Sequence, residues 1–506
     1  MRASSYNIYV ELPDGPNEVL LVHGYTGAYD RVSRAVADYV ISLEADPPSE
    51  PLFGTWVTEP AVLARGDERP VTQPSDRTIE VLVRRGYLTT MSRKEEPGFL
   101  ARLVKKLHRR AVRRSPSYII MPTYDCNLRC GYCFQNHMRT DPRFGHLLQK
   151  MTRDTADRMI AAFPAVEERH GLSAQDQVTR SIGFFGGEPL LAENKDIIRY
   201  IMERVSARGP AEFWAVTNAT ELDAYTELLG PGAIARVQIT LDGPPDEHDQ
   251  RRVYPDGTGS FLQIARNIGL CLELGVQVQV RMNIDRRNVD ELPRLASEFI
   301  RRRWHEHNGF VAYTAPIHPT STITSTERTK RYFSTWELDQ AIDAQRKTHP
   351  EMRVIARPDD GMIARAQKIF DADGDSTKDF KTGFCAAHST MYIFDAFGDI
   401  YACWEKTGDR SIRIGSVLED GSLEMNEGLT RLWRTRTSAS NPTCRNCRYN
   451  LHCGGGCAAL AEGRSGTMHS NYCDGFAERF RHSVAMAYDA YSSGLTVQAQ
   501  ERVCDL

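Results

Sequence analysis

The 506-residue chain lacks any apolar run near the ~18 residues that a membrane-crossing helix needs, so no span is expected. It lacks charge imbalance. Its 63 Lys and Arg stand against 66 Asp and Glu, a net of −3, which argues against bulk nucleic-acid binding while leaving room for a local basic patch. It lacks compositional bias. Gly (37), Pro (25) and charged residues (25%) lie near globular averages, which excludes collagen-like, mucin-like and wholly disordered chains. No repeat of 20–50 residues is visible. The opening segment carries Glu11 and Asp14 and no apolar core, so it does not read as a secretory signal. The expectation is a cytoplasmic protein of about three domains, with no membrane partner.

What is present is ordered along the chain. Tyr6–Leu12 and Val19–Val22 alternate as strands of a hairpin about Pro13-Asp14-Gly15-Pro16, and Asp30–Leu43 carries apolar residues at helical spacing. A polar, Pro-rich stretch covers 45–75, and Asp76–Arg85 reads as a helix ending at Gly86. Together, residues 1–95 read as a small winged-helix-like domain. Residues 96–116 read as a basic linker helix, because 101–114 hold seven Lys or Arg and no acid. A solvated helix is the preferred reading, ahead of a dock for an acidic peptide. Nucleic acid ranks third, since no aromatic residues interleave.

From 117 to 317 strands and helices alternate. Strands are expected at Tyr118–Met121, Ser181–Phe185, Phe213–Val216, Val237–Leu241, Val276–Ile284 and Phe310–Thr314, with helices at about 152–169, 193–207, 221–229, 260–273 and 289–304. This alternation predicts an α/β fold with a parallel sheet, and six strands predict a partial (β/α)6 barrel rather than a complete eightfold one. Residues 318–384 read as a bridge with helices near 328–346 and 360–370. Residues 385–480 form a third, cysteine-dense domain, followed by a tail at 481–506.

Ten of the 12 cysteines fall in two groups, and in a reducing cytosol such clustering reads as metal or redox chemistry. The first group is Cys126-x3-Cys130-x2-Cys133, just after an expected strand. Three thiolates on one loop can hold a small cluster and leave one position open. Structural zinc, with His137 as fourth ligand, is the alternative. Ile182-Gly-Phe-Phe-Gly186-Gly187-Glu188 ends the second strand. Val216-Thr-Asn218, Thr240-Leu-Asp-Gly and Arg281-Met-Asn end the third, fourth and fifth. Ligands bind at such strand ends, and a Gly-Gly turn lets a ligand approach the backbone closely. Glu188 offers an anion for an ammonium group. The second group is Cys385-x12-Gly398-x4-Cys403, then Cys444-x2-Cys447-x5-Cys453-x3-Cys457, then x15-Cys473. Cys271 reads as a core residue on a helix and Cys504 as a bystander in a polar tail.

The first group, with an aromatic before its last Cys and a GGE at the next strand end, resembles the radical S-adenosylmethionine (SAM) superfamily. The resemblance implies that Cys126, Cys130 and Cys133 hold a [4Fe-4S] cluster whose open iron chelates SAM, and that a 5′-deoxyadenosyl radical abstracts a substrate hydrogen. It implies that Gly186, Gly187 and Glu188 hold the SAM amino group, that Tyr132 lies beside the adenine, and that Asn218, Thr240 and Arg281 contact ribose and carboxylate. Arg281 suits the carboxylate, because a guanidinium pairs it bidentately. The second group resembles the SPASM extension of such enzymes, which implies two auxiliary [4Fe-4S] clusters, three clusters in all. One takes Cys385, Cys403 and Cys457, with Met391 where some relatives have a fourth Cys; the other takes Cys444, Cys447, Cys453 and Cys473. In the sulfatase-maturing branch an Asp follows the second SPASM cysteine and serves as base. Here Trp404-Glu405 follow, which leaves Glu405 as candidate base.

The resemblance therefore implies a peptide maturase. Residues 1–95 would bind the leader of a ribosomally made (RiPP) precursor as an added strand. The core would install a C–C, C–O or C–S crosslink by hydrogen abstraction, with an external flavodoxin- or ferredoxin-type reductant. A sulfatase-maturase-like enzyme is the alternative reading. A redox-sensing winged-helix regulator is another, disfavoured by the near-neutral charge and the SAM-binding set.

Overall fold

The structure is a computed structural model that describes the chain except residues 13–14, 16, 45–70, 174, 177, 319–329, 372–378 and 495–506. The expected hairpin turn, most of the Pro-rich stretch, part of the 318–384 bridge, the end of the tail and Cys504 lie wholly or partly outside the described residues. Two compact units do not follow chain order. The first gathers 1–110, 359–385 and 436–500; the second holds 111–358 and 386–435.

In the first unit, β1 (Arg2–Ala3) pairs with β5 (Leu88–Thr89), and β2 (Asn7–Glu11), β3 (Glu18–His23) and β4 (Tyr29–Ser33) form an antiparallel sheet in that order. The helix expected from Asp30 starts only at Arg34. Tyr29–Ser33 alternates buried and open positions and pairs with β3, and the Ser33 hydroxyl accepts from the Val36 amide to cap the helix Arg34–Ser42. Asp76–Arg85 is helical as expected, capped by Ser75 and closed by Gly86 at φ 95°. Both faces of the sheet are covered. Ile8, Val10, Leu20 and Val22 pack on Ile363, Ile369, Phe480 and Val484, whereas Tyr9, Val19 and Leu21 pack on Ala37, Val40 and Leu82.

The basic segment differs from a solvated linker. Within the helix Glu95–Val112, Leu100 and Val104 are buried against Tyr6, Tyr25, Ala439 and Leu451, because every third or fourth residue is apolar. Only the opposite face, with Arg102, Lys105, Lys106, Arg109 and Arg110, is exposed.

The second unit is built on one sheet. The six expected strands appear as β6 (Ser117–Ile120), β7 (Arg180–Phe184), β8 (Ala211–Thr217), β9 (Ile234–Thr240), β10 (Gln277–Ile284) and β11 (Phe310–Pro316), each parallel to its neighbours in chain order. The count of six missed two parallel strands. β12 (Ile355–Ala356) adds beside β11, and β13 (Met391–Phe394) adds beside β6. β14 (Asp399–Tyr401), β15 (Gly415–Val417) and β16 (Leu423–Met425) continue antiparallel from β13. Both were invisible locally: β12 has two residues, and β13 sits in the cysteine-dense region and joins a strand some 270 positions earlier. The parallel strands hold near-continuous runs of buried residues, such as Tyr118–Ile120 and Ile182–Phe184, as parallel strands covered on both faces require. Helices Arg153–Arg169, Lys195–Ser206, Phe261–Glu273 and Leu292–Arg301 supply the cover, and the expected helix at 221–229 is the 3-10 turn Leu222–Leu228. Among the described residues no helix is long and apolar enough to cross a membrane.

Candidate active site

The carboxyl ends of the parallel strands open into one cavity of about 300 Å³, within the range of small-molecule sites. Cys126, Cys130, Cys133, Tyr132, Gly186, Gly187, Glu188, Asn218, Thr240, Arg281 and Glu405 all line it. Every residue expected at the first cluster and at SAM thus reaches one space, as strand register dictates.

The thiol loop is fastened from two sides. The Tyr124 hydroxyl donates to Asp395, just past β13, at 2.9 Å. Arg139 donates to the Tyr124 carbonyl at 2.9 Å and reaches Cys133 Sγ at 3.5 Å. The three thiols feel one another's charge, Cys126 with Cys130 and Cys130 with Cys133. Burial, then Glu188, pushes Cys126 up to about 12. Burial also raises Cys130, opposed chiefly by the Arg252 guanidinium. Three converging thiols with Arg139 and Arg252 beside them fit a thiolate-bound anionic cluster. His137, the fourth ligand a zinc site would need, is exposed, sets Nδ1 3.0 Å from the Phe134 carbonyl and does not line the cavity.

The Gly-Gly turn lines the cavity and also has a packing role that the sequence did not show. Gly186 has φ 145°, and a Cβ there would stand 2.5 Å from the Thr123 carbonyl oxygen; at Gly187 it would stand 2.0 Å from that of Asp125. The glycines let the turn press on the thiol loop itself, bonded by Gly187 N to Thr123 O (3.1 Å) and Glu188 N to Asp125 O (2.7 Å). The Glu188 carboxylate, 1% exposed, accepts from Leu190 N (2.9 Å), Thr217 Oγ1 (2.6 Å) and Asn218 N (2.5 Å). Burial outweighs these donors and pushes its pKa up to about 7. Asn218 is aimed by this bond and by Ala219, a non-glycine at φ 65°. Its amide donates to Asn127 at 2.8 Å and reaches Cys126 Sγ at 3.7 Å.

Tyr132 is the hub of a polar network that only the fold assembles. Its hydroxyl donates to Asp242 and accepts from Arg252 (2.6 Å) and Asn283 (3.2 Å). Arg251 lies 5.7 Å over its ring. Arg252, Arg139 and Gln238 were not singled out in the sequence. Arg252 is 7% exposed and its Nε meets no acceptor. The Arg251-Arg252 pair shortly after the fourth strand end was the available signal. Arg281 donates to Asn283 Oδ1 at 3.0 Å.

Trp404 stacks on Phe185, ring centroids 5.4 Å apart, and forms an apolar wall. Beside it Glu405 points Oε2 into buried space with no hydrogen-bond partner, and burial raises its pKa against the nearby Arg281 charge.

The second cysteine set also fits a cluster where a single unit holds it. In the first unit, Cys447 feels Cys453, Cys444 and Cys473, and Cys444 feels Cys453 and Cys473. Burial pushes Cys444 up to about 12 and Cys473 up to about 11. Gly454, Gly455 and Gly456 all have positive φ (78°, 88°, 76°), and a Cβ on Gly456 would meet the Tyr472 carbonyl at 1.9 Å. The set Cys385, Cys403 and Cys457 draws on both units and rests on the resemblance alone. Cys271 is buried on its helix, raised to about 12 by burial alone.

Residues 120–299 match the model of the Radical SAM superfamily. The chain is 22% identical over 388 residues to a cysteine-type anaerobic sulfatase-maturating enzyme of Clostridium novyi, covering 74% of this chain and 96% of that one. It is 25% identical over 351 residues to the mycofactocin maturase MftC of Mycobacterium ulcerans, covering 67% and 81%. The solved structure of native anSMEcpe with bound AdoMet superposes with a TM-score of 0.56 at 15% identity, over 75% of this chain and all of that one. That likeness is one of fold.

Proposed function

From the premise that the chain carries a radical SAM domain and is an enzyme of that family, we propose that it matures a ribosomally made precursor peptide, installing a C–C, C–O or C–S crosslink. The observation that carries this reading is the convergence of three thiols, the Gly186-Gly187 turn, Asn218, Thr240 and Arg281 on one cavity at the strand ends. Bound there, a [4Fe-4S] cluster with an open iron and SAM supply a radical that removes a substrate hydrogen atom. The chain's own part is positional. Cys126, Cys130 and Cys133 hold the cluster, and Arg252 and Arg139 balance its charge. Gly186, Gly187 and Glu188 carry the backbone that meets the SAM amino group. Arg281 pairs with the SAM carboxylate, and Tyr132 borders the adenine. Trp404 and Phe185 would shut water from the substrate end, Glu405 would take the proton released as the crosslink closes, and the electron released with it would pass to an auxiliary cluster.

A peptide substrate is supported by the relatives: two are named as maturases, and the fold neighbour has been solved with a Cp18Cys peptide. The leader site is the β4 edge. Both faces of the β2-β3-β4 sheet are covered, and among the described residues β2 and β4 each pair on one side only; the Asn7 carbonyl on β2 already accepts from Arg448 at 2.6 Å, which favours strand addition at β4. The remaining parts of this reading are two auxiliary clusters on the SPASM cysteines and an external one-electron reductant.

The test is direct. Anaerobically reconstituted protein should cleave SAM to 5′-deoxyadenosine, and a Cys126/Cys130/Cys133→Ala variant should lose that activity completely. Retention of cleavage would sink the assignment of the loop. A sulfatase-maturase-like activity is the second reading, favoured by the C. novyi match. It predicts oxidation of a lone Cys or Ser in a sulfatase-motif peptide, whereas a crosslinking enzyme should leave that peptide unchanged.

A further inference from the structure

Arg436 is 2% exposed. A guanidinium so deeply buried is very costly unless hydrogen bonds and opposite charge surround it. The hydrogen bonds run to carbonyls. Nε donates to Met468 O at 2.5 Å, and Nη2 donates to Gly455 O at 3.3 Å and Ser470 O at 3.1 Å. These acceptors come from two segments. Gly455 lies inside Cys453-Gly-Gly-Gly-Cys457, and Met468 and Ser470 lie on the approach to Cys473. One side chain therefore ties the glycine turn to the loop that delivers the last cysteine. Carbonyls satisfy N–H groups but do not balance a full charge. Sulfur supplies opposite charge near Arg436. The Gly455 carbonyl that accepts from Arg436 sits beside one of the thiols, a Cβ on Gly455 standing 3.8 Å from Cys444 Sγ, and the thiols of Cys444, Cys457, Cys385 and Cys453 all act on the guanidinium charge. All of these residues belong to the first unit.

The planar fork explains why Arg stands here. It reaches carbonyls of two segments while keeping its charge, which a Lys ammonium on a single point cannot match. Net charge and hydrogen bonding around the sulfurs are what set a cluster's reduction potential. A fixed cation beside the thiolates stabilises the more negative, reduced form.

We propose that Arg436 is the built-in counter-charge of the auxiliary iron–sulfur chemistry on the first unit's cysteines, Cys444 and Cys453 of one expected set with Cys457 and Cys385 of the other, holding their loops together and raising the reduction potential. This rests on the cluster reading of the SPASM cysteines given above. Arg436 is a positioning and tuning residue, not a catalytic one.

The experiment uses full-length, reconstituted protein in the Cys126/Cys130/Cys133→Ala background, so that the electron paramagnetic resonance signals come from auxiliary centres alone. Arg436→Gln removes the charge and Arg436→Lys keeps it. Each is assayed for iron and sulfide and titrated with dithionite. In Arg436→Gln the auxiliary midpoint should move to lower potential, by about 59 mV for each tenfold loss in the one-electron reduction equilibrium. Arg436→Lys should shift less. If Arg436→Gln loses iron outright while Arg436→Lys keeps it, the counter-charge is needed for assembly, which also supports the proposal. A wild-type midpoint in iron-replete Arg436→Gln overturns it. Equal loss of iron from both variants overturns it too, since shape rather than charge would then be at issue. If protein with Arg436 intact holds no auxiliary iron in this background, the cluster reading itself fails, and the assignment of Arg436 falls with it.

Discussion

Tyr132, Glu405 and Asp395 show what single side chains contribute here. Tyr132 joins Arg252, Asn283 and Asp242 through one hydroxyl. Tyr132→Phe leaves the buried Arg252 guanidinium and Asp242 carboxylate each short of a partner, a loss of about 1–3 kcal/mol for each group left unsatisfied. Iron content should be unchanged, while the apparent affinity for SAM in uncoupled cleavage falls at least several-fold. Glu405→Gln should spare 5′-deoxyadenosine formation and stall product formation, if its unpartnered oxygen accepts the substrate proton; unchanged peptide turnover would remove it from the chemistry. Asp395 bears on stability. Burial, then the neighbouring Asp399 charge, pushes it up to about 7. A carboxyl raised in the folded state binds its proton more tightly there than in the unfolded chain. Its contribution is full below the ordinary Asp value and is lost as pH rises through about 7. The melting temperature should therefore decline between about pH 4 and 7 partly through this group, and Asp395→Asn should flatten that decline.

Two elements carry the most specific demands. At the Gly454–Gly456 turn three successive left-handed residues place Cys453 and Cys457, and Gly456→Ala drives a methyl into the Tyr472 carbonyl. That variant should lose about four iron atoms, one cluster's worth, while keeping SAM cleavage at the Cys126 loop. At the β4 edge, Arg34 N bonds to Asn17 O and His23 N to Ala28 O. Antiparallel alternation then turns the Arg31 amide outward, away from β3. Arg31→Pro removes an outward donor without breaking the hairpin. It should weaken binding of the leader peptide at least tenfold and leave uncoupled SAM cleavage intact. Equal binding by the variant would place the leader elsewhere.

Across the whole chain, the reading requires about twelve iron atoms in reconstituted protein and about eight in the Cys126/Cys130/Cys133→Ala variant. Removing residues 1–95 is a poor test of leader binding. Ile8, Val10, Leu20 and Val22 share one core with Phe480 and Val484, so truncation would strip cover from the helix Phe476–Ser492 and disturb the neighbouring Tyr449 beside Arg448 and Asn450. Point variants on β4 separate binding from folding.

The parallel core was legible before folding because its strands, covered on both faces, are buried apolar runs separated by amphipathic helices, and each strand end names itself by a switch to polar residues. The same locality made Cys126, Cys130, Cys133, Glu188, Asn218 and Arg281 readable as one rim. The grouping of Cys444, Cys447, Cys453 and Cys473 came from the resemblance, and all four lie within one compact unit. Sequence alone could not place β12 or β13, whose pairing partners lie far away in the chain. It could not show that Gly186 and Gly187 face the thiol loop, that Arg252 enters the cavity, or that Arg436 is buried against the Gly455, Met468 and Ser470 carbonyls. An isolated arginine carries no periodicity and no neighbour that marks it as internal. Its place depends on carbonyls and sulfurs brought to it by other segments, so only long-range packing decided what its charge faces.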